Sequence, residues 1–472
     1  MLLWAYHCRI EGNFPMNNRD QYKGIVRFWS SALLLMLLTG VYTYAWFNWY
    51  KEAGLYYDNR GNYAIICLYA LIGFFFMKTF GSFQIGKVKM REIIFAQILS
   101  VLCLNAVTHL QFCLIGRWRI SEHLQLLGYM TIADIVVVIL WGLIVTWVFA
   151  KLYPPRAMLM VYGEREPGNL LRKMKIREDK YDVKESISCN VDWDVLTDKI
   201  DEYGAVLMAD ISSDVRNKIL KYCFNKRIRC YAVPKISDIM IMSAEKIQIS
   251  DTALLLFRNQ GLSAGQRCIK RIFDIVVGVI AVIIASPVML VIAIAIKAYD
   301  GGPVFFIQDR LTRNGEVFRI YKFRSMRVQG ADEKQSITKK NDDRITPVGH
   351  IIRKLHLDEL PQVFNIIKGD MSFVGPRPEW TATTEQYSQN LPEFLFRLKV
   401  KAGLTGYAQV YGKYNTTPYD KLMLDLTYIE KYSFWLDIKL MFLTVKTLFQ
   451  KENTEGVEAW QTSADNDDEH VN

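Results

Sequence analysis

The chain has 472 residues, 51% of them hydrophobic and 22% charged, with a net charge of +10. That apolar content excludes a fully disordered chain, and its concentration in long blocks argues against an ordinary soluble enzyme. The eight cysteines show no Cys-x-x-Cys spacing, which argues against a zinc ribbon, a redox pair or a disulfide scaffold and suggests reduced, cytosol-facing domains.

A bilayer core takes about 20 apolar helical residues to cross. Four blocks reach that length: Ile25 to Trp49, Tyr63 to Phe83, Ile93 to Ile115 and Leu124 to Phe149. They predict four transmembrane helices within residues 25–150, after a cytoplasmic N-terminal segment of residues 1–24. Arg19, Lys23 and Arg27 precede the first block, Lys78, Lys87, Lys89 and Arg91 surround the second connection, and Lys151 and Arg156 follow the fourth block. Lys51 and Arg60 are balanced by Glu52 and Asp58, and Arg117 and Arg119 leave the third connection ambiguous. The bias puts the N-terminus, the second connection and everything after Phe149 in the cytoplasm. Trp46, Phe47, Trp49 and Tyr50 suit either an interfacial aromatic belt or helix packing. Asp134, near the start of the fourth block, is the clear ionisable residue within these segments and can lie at the interface.

Residues 154–258 read as a small cytosolic α/β domain. Ala157–Tyr162, Ala205–Ala209 and Arg229–Val233 are strand-like, and Pro167–Lys175, Trp193–Tyr203 and Ser213–Lys226 are helical. Alternating short strands and helices predict a parallel sheet. Its first turn, Gly163-Glu164-Arg165-Glu166-Pro167-Gly168, puts an arginine where a dinucleotide fold needs its second glycine, and two glutamates repel phosphate there. A regulatory or assembly module fits better.

A fifth apolar block runs from Ile272 to Ile296, flanked by Lys270, Arg271 and Lys297. Ser286-Pro287 sits in its middle. Proline removes a helix donor and clashes with the preceding turn, while the Ser286 hydroxyl can bond a freed carbonyl. The block is either a helix that enters and leaves on one face or a kinked fifth span.

The strongest chemical signals follow. In Leu357-Asp358-Glu359-Leu360-Pro361-Gln362 the apolar spacing of Leu360, Val363, Phe364, Ile366 and Ile367 predicts a helix ending near Gly369. Asp358 then falls at the N-cap, with Glu359 and Pro361 in the first turn, where exposed amides favour carboxylates and nearby phosphate. A capping pair explains such a start as well as chemistry does. The surrounding cations favour chemistry: Lys322 and Arg324, Arg344, Arg353, and Arg377 in a rigid Gly-Pro-Arg-Pro turn. Arginine's donor fork suits phosphate. No P-loop motif occurs.

At these residues the chain resembles the bacterial sugar transferases, the monotopic phosphoglycosyl transferases. The matching segments are KRIFDIVVG (Lys270–Gly278), Ser286-Pro287, DGGPVFF (Asp300–Phe306), KFRSM (Lys322–Met326), RITPVG (Arg344–Gly349), LDELPQ (Leu357–Gln362), SFVGPRPE (Ser372–Glu379) and GLTGYAQV (Gly403–Val410), in family order. The first 260 residues resemble the long-form members. The resemblance implies a membrane protein of mixed α and α/β class: a four-helix transmembrane bundle, a degenerate Rossmann-like middle domain, and an α/β catalytic domain over residues 264–450 anchored by a re-entrant helix, 272–298. It implies transfer of a sugar 1-phosphate from a UDP-sugar to undecaprenyl phosphate, the initiating step of exopolysaccharide, capsule or O-antigen assembly, at the cytoplasmic face of a bacterial inner membrane. Asp358 is implied as the nucleophile, Glu359 as the Mg2+ ligand, Ser286-Pro287 as the membrane break, and Arg353 and Arg377 as phosphate contacts, with Lys322, Arg324 and Arg344 also binding substrate.

Leu436 to Phe449 reads as an apolar helix that is either packed or resting on the membrane surface, and residues 451–472 as an acidic disordered tail. Membrane lipid and phosphate substrates account for the basic charge, so no nucleic acid is required. A homodimer is plausible. A transporter or receptor, and an inactive scaffold or regulator of polysaccharide assembly, are the alternative classes. The presence of Asp358 and Glu359 weighs against the scaffold.

Overall fold

The computed structural model describes residues 21–50, 60–115, 124–163, 167–257, 261–327, 344–412 and 416–448. The acidic tail, residues 1–20, the charges Lys51, Glu52, Asp58, Arg117 and Arg119, and Glu164–Glu166 lie outside the described residues. The chain divides into two compact units, Met1–Pro234 and Lys235–Asn472. It is a mixed helix and sheet protein, and among the described residues five helices are long and apolar enough to cross a membrane.

The first unit opens with α1 (Lys23–Ala45), continued by a π-helical turn at Trp46–Tyr50, then α2 (Arg60–Phe80), α3 (Met90–Ile115) and α4 (Leu124–Leu152). Each helix packs on the next, and α1 closes on α4. Large apolar side chains such as Leu71, Leu140 and Trp147 stay exposed, as expected of surfaces that meet lipid rather than water. The interior carries polar groups. Asp134 is fully buried; Asn105 Nδ2 donates to its Oδ2 at 3.0 Å, and the Tyr69 hydroxyl lies 3.3 Å from the same oxygen. Tyr69 of α2 and Asn105 of α3 thus bury the carboxyl within the helix bundle. Trp46 also turns inward. Its Nε1 donates to Asn62 Oδ1 at 2.9 Å and its ring stacks beside Tyr42 and Phe112, so packing accounts for that aromatic.

The chain continues through β1 (Arg156–Tyr162), α5 (Gly168–Lys175), β2 (Tyr181–Ser188), α6 (Trp193–Glu202), β3 (Ala205–Ala209), α7 (Ser213–Lys226) and β4 (Arg229–Ala232). The strands form one parallel sheet in the order β2-β1-β3-β4. The inner strands β1 and β3 are buried, hence their continuous apolar runs. Strand β2 has no apolar signature in the sequence, because Asp182, Lys184 and Glu185, suited to a sheet edge, mask its periodicity.

The second unit starts with α8 (Ile236–Ser243) and the hairpin β5 (Glu245–Ile249) and β6 (Thr252–Leu256). The sequence reading grouped this segment with the middle domain. In the structure Ile239 of α8 packs in the core of the second unit with Phe394, Leu422 and Tyr428.

Helix α9 (Ala264–Asp300) begins in a capping box, in which Ser263 Oγ accepts from Gln266 N–H and Gln266 Oε1 accepts from Ser263 N–H. Pro287 lies inside it. The proline's missing donor frees the Ile283 carbonyl, and Ser286 Oγ donates to that carbonyl at 3.0 Å. The charged residues ahead of the apolar block, taken in sequence as a membrane flank, fasten the helix to the rest of the unit. Lys270 is buried against Asp437 and Tyr428. Arg271 donates to the carbonyls of Ile366 and Ile367, each at 2.6 Å. Asp274 accepts from Ser372 Oγ and Phe373 N–H at 3.0 and 3.1 Å. Further along, Met289, Ile292 and Ile296 pack with Phe323 and Ile352. Ile280, Ile283, Ile284 and Val291 are exposed.

The remaining elements are β7 (Phe305–Leu311) and β8 (Val317–Phe323), an antiparallel pair; α10 (Pro347–Lys354); α11 (Gln362–Lys368); β9 (Ser372–Val374); α12 (Thr381–Asn390); β10 (Gly403–Thr405), parallel to β9; α13 (Tyr407–Tyr411); α14 (Pro418–Glu430); and α15 (Phe434–Leu448). Helix α15 is a packed helix: Leu440 is fully buried and Asp437 holds Lys270.

Candidate active site

Three pieces of chain converge: β8, the connection from α10 to α11, and the proline-rich turn after β9. Thr346 Oγ1 caps α10 by accepting from Gly349 N–H at 2.9 Å, with Pro347 in the first turn. Beyond α10, His356 takes a left-handed conformation at φ +53°, uncommon for a residue with a Cβ. The chain reverses there into a single 3-10 turn, Leu357–Glu359. Helix α11 starts only at Gln362, with Pro361 at its N-cap, and stops at Gly369, whose φ is +107°. Asp358 is therefore not the N-cap of α11. The predicted helix begins later because the tight turn intervenes, and that turn carries Asp358 and Glu359 side by side.

Glu359 is the electrostatic centre. Arg377 Nη2 donates to its Oε1 at 2.9 Å, and Lys322 Nζ donates to the same oxygen at 3.3 Å. Burial opposes its ionisation, but Arg377 and Lys322 outweigh burial and hold the carboxyl at about 2. Asp358 moves the other way. Burial pushes it above its ordinary value and the Glu359 charge adds to that; Lys322 and Arg353 pull it partly back. Two adjacent carboxyls with pKa values driven apart give one permanent anion and one more basic, more nucleophilic carboxylate. Burial also lowers Lys322.

Of the residues singled out in the sequence, Lys322, Arg353, Asp358, Glu359 and Arg377 interact here. Arg324 is engaged elsewhere: its guanidinium forms a two-pronged pair with Asp300, at the end of α9. Arg344 lies on the crossing that leads into α10, where its carbonyl accepts from Arg327 N–H at 2.9 Å. Ser286 and Pro287 lie within α9, which stays helical through them.

The turn bearing Arg377 is braced by glycines of two motifs and by Arg397, Asp425 and Lys421, which carry no motif. A Cβ on Gly403 would stand 2.1 Å from Gly375 N, so the two glycine-containing motifs cross with no room for a side chain. Arg397, 2% exposed, donates to the Arg377 carbonyl at 3.0 Å and pairs with Asp425 at 2.7 Å. Lys421 donates to Glu379 at 2.6 Å, and Lys421 and Arg397 hold Glu379 at about 2 against the opposing effect of burial. Asn365, fully buried, accepts from Tyr321 N–H at 3.0 Å and donates to the Arg319 carbonyl at 2.7 Å, joining α11 to β8. An asparagine on the apolar side of a predicted helix was the signal in the sequence for this tie.

The recess beside Glu359 is lined by Arg310, Ile320, Lys322, Gln362, Arg377, Pro378, Gly403 and Leu404. Among the described residues no group of three or more histidine, cysteine, aspartate or glutamate side chains could by itself hold a metal ion. Glu359 is the carboxylate lining the recess, with Asp358 next to it in the chain. That donor set fits magnesium, which commonly takes one or two carboxylates and completes its shell with substrate phosphates and water.

Residues 265–451 match the family model described as bacterial sugar transferase. The chain is 36% identical over 269 residues to the UDP-N-acetylgalactosamine-undecaprenyl-phosphate N-acetylgalactosaminephosphotransferase of Aeromonas hydrophila, covering 55% of this chain and 62% of that one. It is 38% identical over 218 residues to the UDP-glucose:undecaprenyl-phosphate glucose-1-phosphate transferase of Escherichia coli K12, covering 45% of this chain and 47% of that one. It is 40% identical over 191 residues to a protein of the same description from Caulobacter vibrioides, covering 39% of this chain and 71% of that one.

Proposed function

This chain belongs to the bacterial sugar transferase family, and on that premise we propose that it transfers a sugar 1-phosphate from a UDP-sugar to undecaprenyl phosphate. The observation that carries the reading is the pair Asp358 and Glu359 on one tight turn, with Lys322 and Arg377 both bonded to a single oxygen of Glu359. A diphosphate sugar repels an incoming phosphate. A carboxylate nucleophile divides the transfer into two displacements, each needing less charge to approach at once.

In the first displacement an Asp358 oxygen attacks the sugar-bearing phosphorus, and the bond from that phosphorus to the bridging oxygen breaks. UMP leaves, and an aspartyl phospho-sugar remains. In the second, an oxygen of undecaprenyl phosphate attacks the same phosphorus. The aspartyl bond breaks, the Asp358 carboxylate is restored, and undecaprenyl diphosphate sugar forms. Burial of Asp358 supports the role by raising its basicity. Glu359, kept ionised, would hold Mg2+, which offsets negative charge on the phosphates when bound. Arg377 and Lys322 present fixed positive charge to the same region.

Placement at a cytoplasmic membrane face is part of the proposal. Both halves of α9 pack against the same unit, Arg271 on α11 and Ile296 beside Phe323 and Ile352, while Ile283 and Ile284 between them are exposed. Those contacts support a helix that enters and leaves on one side. The α1–α4 helices would form the transmembrane bundle, and the parallel sheet of the first unit the Rossmann-like module. The relatives' names include N-acetylgalactosamine and glucose, so the sugar is left to experiment.

The test is UMP release by purified protein with Mg2+, undecaprenyl phosphate and a panel of UDP-sugars. Lipid-dependent release with one sugar preferred is expected, as is its loss in Asp358→Asn with folding intact. Full activity in that variant would remove the covalent mechanism. No release from any nucleotide sugar would favour an assembly scaffold.

A further inference from the structure

Arg310 has no part in the sequence reading, yet it lines the same recess as Glu359, Lys322 and Arg377. It lies on β7, opposite Phe318 of β8, and on one face of the pair with Ile320 and Lys322. Its backbone also bridges Trp380, so β7 runs beside the end of the proline-rich turn. The side chain makes two hydrogen bonds, both to neutral acceptors. Nη1 donates to the Pro378 carbonyl at 3.2 Å, and Nη2 donates to Gln308 Oε1 at 2.7 Å. Nε is buried and has no hydrogen-bond partner. No carboxylate lies within ion-pairing distance of Arg310 among the described residues, whereas Lys322 and Arg377 both reach Glu359.

This is an uncommon state for a guanidinium. The side chain is half-buried and forms no ion pair among the described residues, Glu379 and Glu359 acting on it only at longer range, and an orphaned buried donor is costly. An anion entering the recess would relieve both. It would meet Arg310 and Lys322 on one face of the β7–β8 pair and Arg377 on the neighbouring turn, three cations that suit a two-phosphate ligand better than a single carboxylate. The bond to the Pro378 carbonyl gives Arg310 a second effect, since it ties β7 to the turn that aims Arg377.

We propose that Arg310 is a substrate-binding residue that takes the diphosphate of the sugar nucleotide opposite Arg377. The inference rests on the reaction proposed above. It goes beyond it in assigning a phosphate contact to β7, outside the motifs that carried the sequence reading.

The experiment compares full-length wild type, Arg310→Met and Arg310→Lys in detergent or nanodiscs. Two readouts are taken: steady-state UMP release against UDP-sugar concentration, and calorimetric binding of inorganic pyrophosphate with Mg2+. Loss of a charge-assisted contact predicts about 10-fold or greater weakening of pyrophosphate binding and a comparable rise in the UDP-sugar KM for Arg310→Met. Arg310→Lys, which keeps the charge and loses the fork, falls between. If Arg310→Met does not fold, the same ordering of Arg310→Lys against wild type decides the question. Wild-type pyrophosphate affinity and KM in the folded variants, with only kcat or thermal stability reduced, would overturn the proposal and leave Arg310 a brace for the turn. Failure of wild type to release UMP from any sugar nucleotide would count against the reaction itself, while the pyrophosphate comparison would still decide the role of Arg310.

Discussion

Arg397→Met is the perturbation that joins the fold to the site. The Arg397 side chain is 2% exposed and that of Asp425 1%. Arg397 also lies 3.5 Å from Glu379 and donates to the carbonyl of Arg377. Burial pushes Asp425 upward while Arg397 pulls it back, so the intact pair adds little net stability. Removing one partner is different. It leaves Asp425 without its cation and the Arg377 carbonyl without its donor, and breaking a buried pair costs about 3–5 kcal/mol. At about 2–4 °C per kcal/mol for a unit of this size, the apparent Tm should fall by about 6–20 °C. The loosened turn no longer aims Arg377, so kcat/KM should fall by at least about 10-fold at a temperature where the variant is folded. Adding Asp425→Leu removes the stranded carboxylate and should recover part of the loss, giving a coupling of about 1–3 kcal/mol in a double-variant cycle. Thermal unfolding of the full chain in nanodiscs, followed by intrinsic fluorescence, and UMP release measure the two effects. An Arg397→Met Tm within about 3 °C of wild type, with unchanged activity, would refute the reasoning.

Three further outcomes follow from the site and its anchor. In the proposed mechanism Asp358 acts ionised, and its pKa is raised, so kcat/KM should fall as pH drops through that raised value; Lys322→Gln removes a cation that favours the ionised form and should move this acid limb to higher pH. An acid limb that stays in place would exclude Asp358 as the titrating group. Glu359, whose pKa is depressed, contributes stability that is full above its ordinary value of 4.5 and is lost as pH falls from there through about 2; Glu359→Gln should flatten stability across that window, as acid titration of the folded chain would measure. Exposed Cys268 and a cysteine at exposed Lys297, tested in separate single-cysteine chains, should react with an impermeant maleimide from the same side of sealed vesicles. Labelling from opposite sides would make α9 a fifth span.

Sequence alone located the apolar helices, because crossing a bilayer imposes a length and a composition that no packing detail can hide. It also supplied the paired carboxylates and the cations within a few motifs, since phosphate chemistry demands those residue types. Strand β2 was not legible, because a charged edge strand need not alternate. The exact seat of Asp358 was decided by tertiary structure. Local spacing favoured a helix N-cap, while the left-handed turn at His356 delays α11 until Gln362. The sequence could not sort the cations either. Lys322, Arg324 and Arg377 carry the same charge, and only the folded chain sends Arg324 to Asp300 while bringing Lys322 and Arg377 to one oxygen of Glu359. Nor could it show that Lys270 and Arg271 fasten α9 to the rest of its unit. Charge and periodicity are local properties of a chain; which donor meets which acceptor depends on segments 18 to 167 residues apart, and only three-dimensional closure fixes that.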